Sequence, residues 1–519
     1  MEKIIAVIDI GSSAVRLLVA QQENQHWKLL DKAEQPLALG KNLFHRDAID
    51  RHTINRTVEI LKGFQELMQP YGADRVEAIG TSRLRESKNW EMFIDRIYQQ
   101  TGINVKVIDA LEANQLAWTG VQNPLQAAVK NFKKQNILIM EVGAGHTDLM
   151  LLQQGSVAAA QTLPIGTLRY KQQIDEKFGT DSKKARTFIR NHASRIVRAI
   201  SYELNLDTVS RLLIMGSGTL LAAEKIGSPL TENIMSIPRK KFEDFVKGIT
   251  ALSPEEIHDS LHIPWSEAEL LYPALVILNT FVEYTRADEI LVPSDSIRQS
   301  MLLSYAADKK ALREIFSTQT LSSARRLMKH YHVDKEHGEF VREQAVKIFS
   351  ALTKELGLDS FHQLLLETAA LLHDIGNFIS HSSHHKHSQY IIQNSDIFGL
   401  SAADKELVSQ IARYHRRAKP QLSHTAYTSL SHAERIAVQK LAAILRVADA
   451  LDRSHTQSAI IEKLEIQNDQ LIIFTAHPGD LALEKLSLVE KGDLFEEVFG
   501  LKPILQYSDP ALSGASNEH

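Results

Sequence analysis

The chain has no cysteine among its 519 residues. Disulfides and thiolate metal sites are therefore excluded. No apolar run reaches about 18 residues, so no membrane-crossing helix is expected. The start, MEKIIAVIDIG, passes straight into a strand-like run, without the longer apolar stretch and small-residue cleavage site of a signal peptide. The cytoplasm is the expected location. The net charge of −4 lacks the basic excess of a general nucleic-acid binder. Low-complexity segments are also missing. What remains is an ordinary globular balance, with 44% hydrophobic and 24% charged residues, long enough for several domains. The outlier is histidine, with 22 residues and a visible cluster at 381–388. Histidine is the commonest metal ligand and a frequent acid–base group.

Strand-like runs at 4–11 and 15–22 open the chain, followed by a helix-period segment over 48–69. A strand (76–82), a helix near 89–100 and a strand (104–109) complete an α/β alternation. The pattern then restarts. NILIMEVGAG (136–145) has the shape of IIAVIDIGSS, and each is followed by a second strand, TDLMLLQQ and VRLLVAQQ. This predicts a duplicated α/β core with a site between its halves. Long helices over 181–205 and 266–287, with RLLIMGSGTL between them, lead to a last strand near 289–294. From about 310 only helical spacing is found: 320–332, 337–356, 360–375, 401–416 and 433–454. After about 456, KLEIQNDQLIIFTA reads as a hairpin turning at Asn468-Asp469, then a helix and the strand PILQY. The expected divisions are 1–130, 131–308, 309–455 and 456–519, the last a small α+β region.

In VIDIGSS a strand delivers Asp9 to its carboxyl end. Gly11, Ser12 and Ser13 then form a turn expected to leave backbone N–H groups free for anionic oxygen. Asp9 would hold Mg²⁺ or a water bound to it. EVGAGHTD offers a second such turn, flanked by Glu141 and Asp148, and MGSGT (Gly216, Ser217, Gly218) a third. A single strand–glycine turn is ordinary in α/β folds; two copies in register plus a third favour a phosphate cradle.

VIDIGSSAVRLLVA, GTSRLRES, IMEVGAGHTDLMLL, LPIGTLR, IMGSGTL and EILVPSDSIRQSML occur in this order. Together they resemble the Ppx/GppA family of exopolyphosphatases and guanosine pentaphosphate phosphohydrolases over roughly residues 1–305. The resemblance implies a duplicated actin-like, sugar-kinase-like (ribonuclease H-like) core. It further implies Mg²⁺ in an interlobe cleft, polyphosphate or guanosine pentaphosphate as substrate, and a homodimer. Asp9, Gly11, Ser12 and Ser13 match the first phosphate turn, and Arg16 and Arg85 match basic positions near the phosphates. The second turn, Gly143, Ala144, Gly145, His146 and Thr147, departs from the family's three glycines and serine. Its two acids, Glu141 and Asp148, have exchanged lengths but remain candidate Mg²⁺ ligands. Ala144 is harmful only if that residue needs a positive φ. Asp295 and Ser300 replace glycines of the last motif.

The family's water-activating base is the second of two adjacent glutamates. In IDALEANQLAWTGV, anchoring on Gly120-Val121 aligns Glu112 with the first and Ala113 with the second, and Gln115 replaces an arginine. Glu112 is then either a base shifted by one residue or an ordinary carboxylate in a helix's first turn.

LLLETAALLHDIGNF ends in His373-Asp374, a pair costly on an apolar helix unless it binds something. With His337 upstream and Asp449 downstream it resembles an HD domain, whose ligands are a His, the His-Asp pair and a later Asp. Such a nitrogen and oxygen set suits Mn²⁺, Fe²⁺, Mg²⁺ or Zn²⁺. His385, His387 and His415 are candidates for orienting groups, phosphate contacts or ligands of a second metal. Arg413, Arg416, Arg417 and Lys419 read as a solvated face or a polyphosphate channel. Three functions follow: exopolyphosphatase-type hydrolysis in the first region, nucleotide phosphohydrolysis on the helical metal site, or polyphosphate or alarmone binding without turnover.

Overall fold

The computed structural model describes residues 3–507 except 12–13, 24–25, 38, 40–47, 81–83, 85–86, 109, 178–181, 295–308, 354–356, 417 and 477–479. It divides into two units, Met1–Leu312 and Arg313–His519. Among the described residues no helix is long and apolar enough to cross a membrane.

The first unit contains two sheets of one design. In the first, β1 (Ile4–Ile10), β2 (Ala14–Glu23), β3 (His26–Pro36), β4 (Arg75–Gly80) and β5 (Val105–Val107) lie in the order β3-β2-β1-β4-β5. The second holds β6 (Ile137–Val142), β7 (Thr147–Gln153), β8 (Ser156–Leu163), β9 (Arg211–Met215), β10 (Ser228–Thr231), β11 (Ile234–Pro238) and β12 (Glu289–Pro293). Its order is β10-β11-β12-β9-β6-β7-β8. Strands β1 and β6 play the same part: each is antiparallel to the strand that follows and parallel to a later one, β4 or β9. Both are paired on each side and read as apolar runs broken only by one acid near the carboxyl end, Asp9 or Glu141, as suits central strands. This is the duplicated actin-like α/β core. The helix Arg51–Met68 starts where Asp50 accepts from the Thr53 N–H at 2.7 Å, and buries Val58, Leu61 and Phe64 against the first sheet.

The sequence reading passed over β3, β8 and the β10–β11 hairpin. Strand β3, HWKLLDKAEQP, is a polar edge strand with no buried stripe, and its pairing with β2 makes it a strand.

In the second unit the helices Lys335–Ala351, Ser360–Leu372, Ala402–Arg413 and His432–Ala450 enclose an apolar core. Strands β13 (Lys463–Gln467), β14 (Gln470–Thr475) and β15 (Lys502–Tyr507) form a sheet in that order. Asn468 and Asp469, at φ 47° and 59°, make the tight turn of the hairpin. Leu471, Ile473, Phe495 and Leu505 join the same cluster as Leu365 and Leu441, so the sheet shares the helices' core.

Candidate functional site

The two hairpins of the first unit carry matched residues. Asp9 lies opposite Arg16 in the β1–β2 register, and Glu141 opposite Asp148 in β6–β7. Both turns close alike: the Gly11 N–H donates to the Ala14 carbonyl at 3.0 Å and the Gly143 N–H to the His146 carbonyl at 2.9 Å. The expectation that these turns leave their N–H groups free is thus corrected at Gly11 and Gly143, whose donors hold the hairpin together. None of Gly143, Ala144 and Gly145 has a positive φ, so the Cβ of Ala144 introduces no backbone strain.

The LPIGT loop seals the second turn. The Gly143 carbonyl accepts from the Thr167 N–H at 3.0 Å, and the Ala144 carbonyl from the Leu168 and Arg169 N–H groups at 2.8 and 3.1 Å. A Cβ on Gly166 would stand 2.4–2.5 Å from the Gly145 backbone, so only glycine permits this approach. The Thr147 hydroxyl donates to the Ile165 carbonyl at 2.8 Å, tying down the same loop. Thr147 thus holds the loop with its side chain.

Glu141 and Asp148 line a small cavity of about 20 Å³ together with Ala113, Asn114, Ala117 and Met215. Asp148 accepts from the Thr162 hydroxyl at 2.5 Å. Burial pushes its carboxyl up to about 6; the Thr162 bond opposes this and the charge of Glu141 adds to it. Paired carboxylates on a shielded surface are a hard oxygen set suited to a divalent cation, which would remove their repulsion. Ala113 sits on the helix Ala110–Ala128 and presents a methyl group to this pair. The position aligned with the family's base thus faces the carboxylates and carries none.

Other candidates are more dispersed. Arg16 donates to Glu34 through Nε and Nη2 at 3.0 and 2.9 Å, with Nη1 3.6 Å from Asp9. Gly216, at φ 131°, precedes the helix Ser217–Ile226, and Gly218 packs against Leu271. Ser12, Ser13, Arg85 and the side chains of Glu112, Gln115 and Ser217 lie outside the described residues, as do Asp295 and Ser300.

In the second unit helix ends converge. Asp334 caps Lys335–Ala351 by accepting from the Glu336 and His337 N–H groups, both at 3.1 Å, which fixes His337 in the first turn. His373 ends Ser360–Leu372, Asp374 follows it, and Asp449 lies in the last turn of His432–Ala450. Ligand atoms of His337, His373 and Asp449 lie within 4.8 Å of one another, and so do those of Asp374, His384 and His415. The sequence therefore brought His337, His373, Asp374 and Asp449 to one place, and His415 with them. It missed His384, having favoured His385 and His387. The signal was the glycine of HDIG: a Cβ on Gly376 would stand 2.1 Å from the His384 carbonyl. That contact, with the Gly376 N–H donating to Ser388 Oγ at 2.9 Å, seats the helix His384–Asn394 and its first histidine on the pair.

Charge is tightly organised here. Burial lowers His337, but hydrogen bonds to Asp449 and Asp452 outweigh it and lift the imidazole to about 10. Burial holds His373 below its usual value and His415 well below. Burial would raise Asp449, yet Lys491 and His337 keep it well below the carboxylate range; His373 and His384 likewise overcome burial at Asp374. Lys491 donates to Asp449. Two members of the basic run are engaged elsewhere: Arg413 donates to Gln389 at 2.5 Å, and Lys419 lies between Glu497 and Asp493 at 2.7 and 3.2 Å. Arg417 lies outside the described residues.

The chain matches the profile of the Ppx/GppA phosphatase family over residues 18–309 and that of Ppx/GppA phosphatase domain III over 321–494. A curated relative, the guanosine-5'-triphosphate,3'-diphosphate pyrophosphatase of Vibrio vulnificus, is 23% identical over 471 residues, covering 89% of this chain and 91% of that protein. The enzyme of the same name from Aeromonas hydrophila is 24% identical over 481 residues, 90% and 91% respectively. Among solved structures, an exopolyphosphatase from Cytophaga hutchinsonii superposes with a TM-score of 0.52 at 21% identity, over 58% of this chain and 97% of that one.

Proposed function

Because the chain belongs to the Ppx/GppA phosphatase family, we propose that it hydrolyses phosphoric anhydrides, releasing terminal phosphate from inorganic polyphosphate or guanosine pentaphosphate at the Glu141–Asp148 pair. The observation that carries this reading is that pair, set on adjacent strands beside a sealed glycine turn and the cavity under Ala113. Relatives are named for guanosine pentaphosphate and for polyphosphate chemistry; both substrates end in the same anhydride. Mg²⁺ would sit on Glu141 and Asp148 and neutralise phosphoryl charge. Phosphoryl transfer depends chiefly on positioning and electrostatics, so a site without a strong base still accelerates it, but slowly. With Ala113 in the base's place, water activation falls to Glu112 or to bulk solvent, and turnover is correspondingly low.

The test is phosphate release from long-chain polyphosphate and from guanosine pentaphosphate in Mg²⁺. Activity lost in Glu141→Ala and kept in His373→Ala supports the reading; the reverse assigns hydrolysis to the helical unit. That second reading is favoured by one observation: the helical unit's His and Asp donors converge while the first unit's base position is an alanine. Tight polyphosphate binding with no release in any metal would leave a binding protein.

A further inference from the structure

Of the ten residues lining the cavity under Ala113, three carry polar side chains: Glu141, Asp148 and Asn114. The two acids come from β6 and β7, and Asn114 from the helix Ala110–Ala128, one residue past Ala113. Asn114 is only 8% exposed, and among the described residues its amide has no hydrogen-bond partner. Such a residue is unfavourable twice over. Asparagine is a poor helix former in a helix interior, and a buried amide without partners forfeits its bonds to water. Packing alone would be served by an apolar residue such as Ala117, which lines the same cavity one turn further on. An amide kept here against both penalties faces something that bonds to it, and the cavity has room for about one water.

The three polar groups differ in what they can offer a water. Ionised carboxylates accept and do not donate, and the proposed Mg²⁺ would engage both of them. For water to attack phosphorus its lone pair must face the phosphoryl group, so acceptors must hold its hydrogens from the other side. The methyl of Ala113 supplies none. With the carboxylates turned to a cation, the carbonyl of Asn114 is the acceptor that the cavity wall supplies. Phosphoryl transfer depends chiefly on positioning, and a side-chain amide orients an attacking water without having to take its proton.

We propose that Asn114 orients the attacking water beside the Glu141–Asp148 pair, its carbonyl accepting a hydrogen bond from that water. The inference rests on the anhydride-cleaving reading of this site. The water oxygen bonds to the terminal phosphorus as the bridging P–O bond breaks. The shortened substrate leaves with the electron pair as an oxyanion. One water proton stays on the released phosphate, and the other passes to Glu112 or to solvent, because an amide takes none. Asn114 thus supplies orientation where its neighbour Ala113 supplies no base.

The test compares the full-length wild type with Asn114→Leu, which keeps the branched shape and removes the amide, and with Glu141→Ala as the control for the site itself. In phosphate release from polyphosphate, kcat of Asn114→Leu should fall about 10–100-fold. KM and the Mg²⁺ half-saturation should hold, and the loss should be equal at every pH, since an amide does not titrate. Thermal unfolding in chelator should come no lower than in wild type, because an unpaired buried amide has been exchanged for an apolar group. Asn114→Ala, which adds no bulk, serves if the leucine variant does not fold. A leucine variant as fast as wild type, with Glu141→Ala inactive, leaves the anhydride-cleaving reading standing and overturns the role of Asn114. A loss of rate matched by a lower unfolding temperature makes Asn114 a packing residue, and a shifted Mg²⁺ titration makes it a metal ligand; either overturns the proposal. No release by the wild type overturns the anhydride-cleaving reading and this inference with it.

Discussion

Ala113→Glu is the sharpest perturbation of the first unit. The cavity beside Ala113 measures about 20 Å³, room for about one water. A propionate tail exceeds it and must displace the neighbouring Met215, an overpacking that costs about 1–3 kcal/mol. The new carboxylate also meets Glu141 and Asp148; at roughly 5 Å and an effective dielectric of about 20, each repulsion is about 3 kcal/mol. Without a divalent ion the variant should unfold several degrees below wild type, and Mg²⁺ should recover much of the loss. Its hydrolysis rate should nevertheless rise. A positioned general base contributes about 10²–10⁴-fold, or about 3–5 kcal/mol of barrier. The assay is phosphate release from polyphosphate, with Ala113→Gln matching size without the charge and Glu112→Gln testing the neighbouring acid. If the Glu and Gln variants at 113 are equally fast while both fold and both respond to Mg²⁺, a missing base at this position is not what limits the enzyme. If Glu112→Gln alone abolishes wild-type turnover, Glu112 is the base.

Gly166→Ala should lower phosphate release and Mg²⁺ affinity together, because its Cβ would enter the Gly145 backbone at 2.4–2.5 Å and unseat the turn; an unaltered Mg²⁺ titration would refute this. Gly376→Ala should unseat the helix His384–Asn394 and lower the thermal stability, since its Cβ would stand 2.1 Å from the His384 carbonyl and 2.4 Å from the Ser388 nitrogen; unchanged thermal unfolding would refute this. Glu339 accepts from Arg325 at 2.5 and 3.0 Å, and those bonds, ahead of opposing burial, lower its pKa below the ordinary 4.5. A lowered carboxylate stabilises the fold above its unfolded pKa and loses that contribution as pH falls through the folded value. Thermal unfolding should therefore separate wild type from Glu339→Gln by on the order of 1 kcal/mol at pH 7, and the gap should close below pH 4.5.

The central strands were legible because β1 and β6 are paired on both sides and are apolar but for one acid each, Asp9 and Glu141. Strand β3 was not, because its pairing partner, distant in pattern from its own polar residues, makes it a strand. His373 and Asp374 could be read from the end of an apolar helix, and His337 and Asp449 from the resemblance to an HD domain. His384 could not, because three histidines crowd 384–387 and only the close contact at Gly376 decides which one turns inward. The alignment that put Ala113 in the base's place used sequence anchors alone; what it lacked was the opposite wall of the cavity, Glu141 and Asp148, which arrives from another sheet.

The duplicated hairpins also differ in charge, which bears on the proposed Mg²⁺. Both place an acid on the first strand, Asp9 or Glu141, and a register partner on the second. In the first half that partner is Arg16, whose guanidinium lies 3.6 Å from Asp9 and also holds Glu34 through two hydrogen bonds. The acid already has its counter-charge, and Arg16 is shared between Asp9 and Glu34. In the second half the partner is Asp148, so two acids lie opposite each other, about 4.5–5.5 Å apart at Cβ. Burial, with the charge of Glu141 adding to it, raises Asp148 to about 6. Above that pH the proposed Mg²⁺ would neutralise the pair. One hairpin design, repeated with a change of sign at its second position, thus separates a half that carries its own counter-charge from a half with two acids.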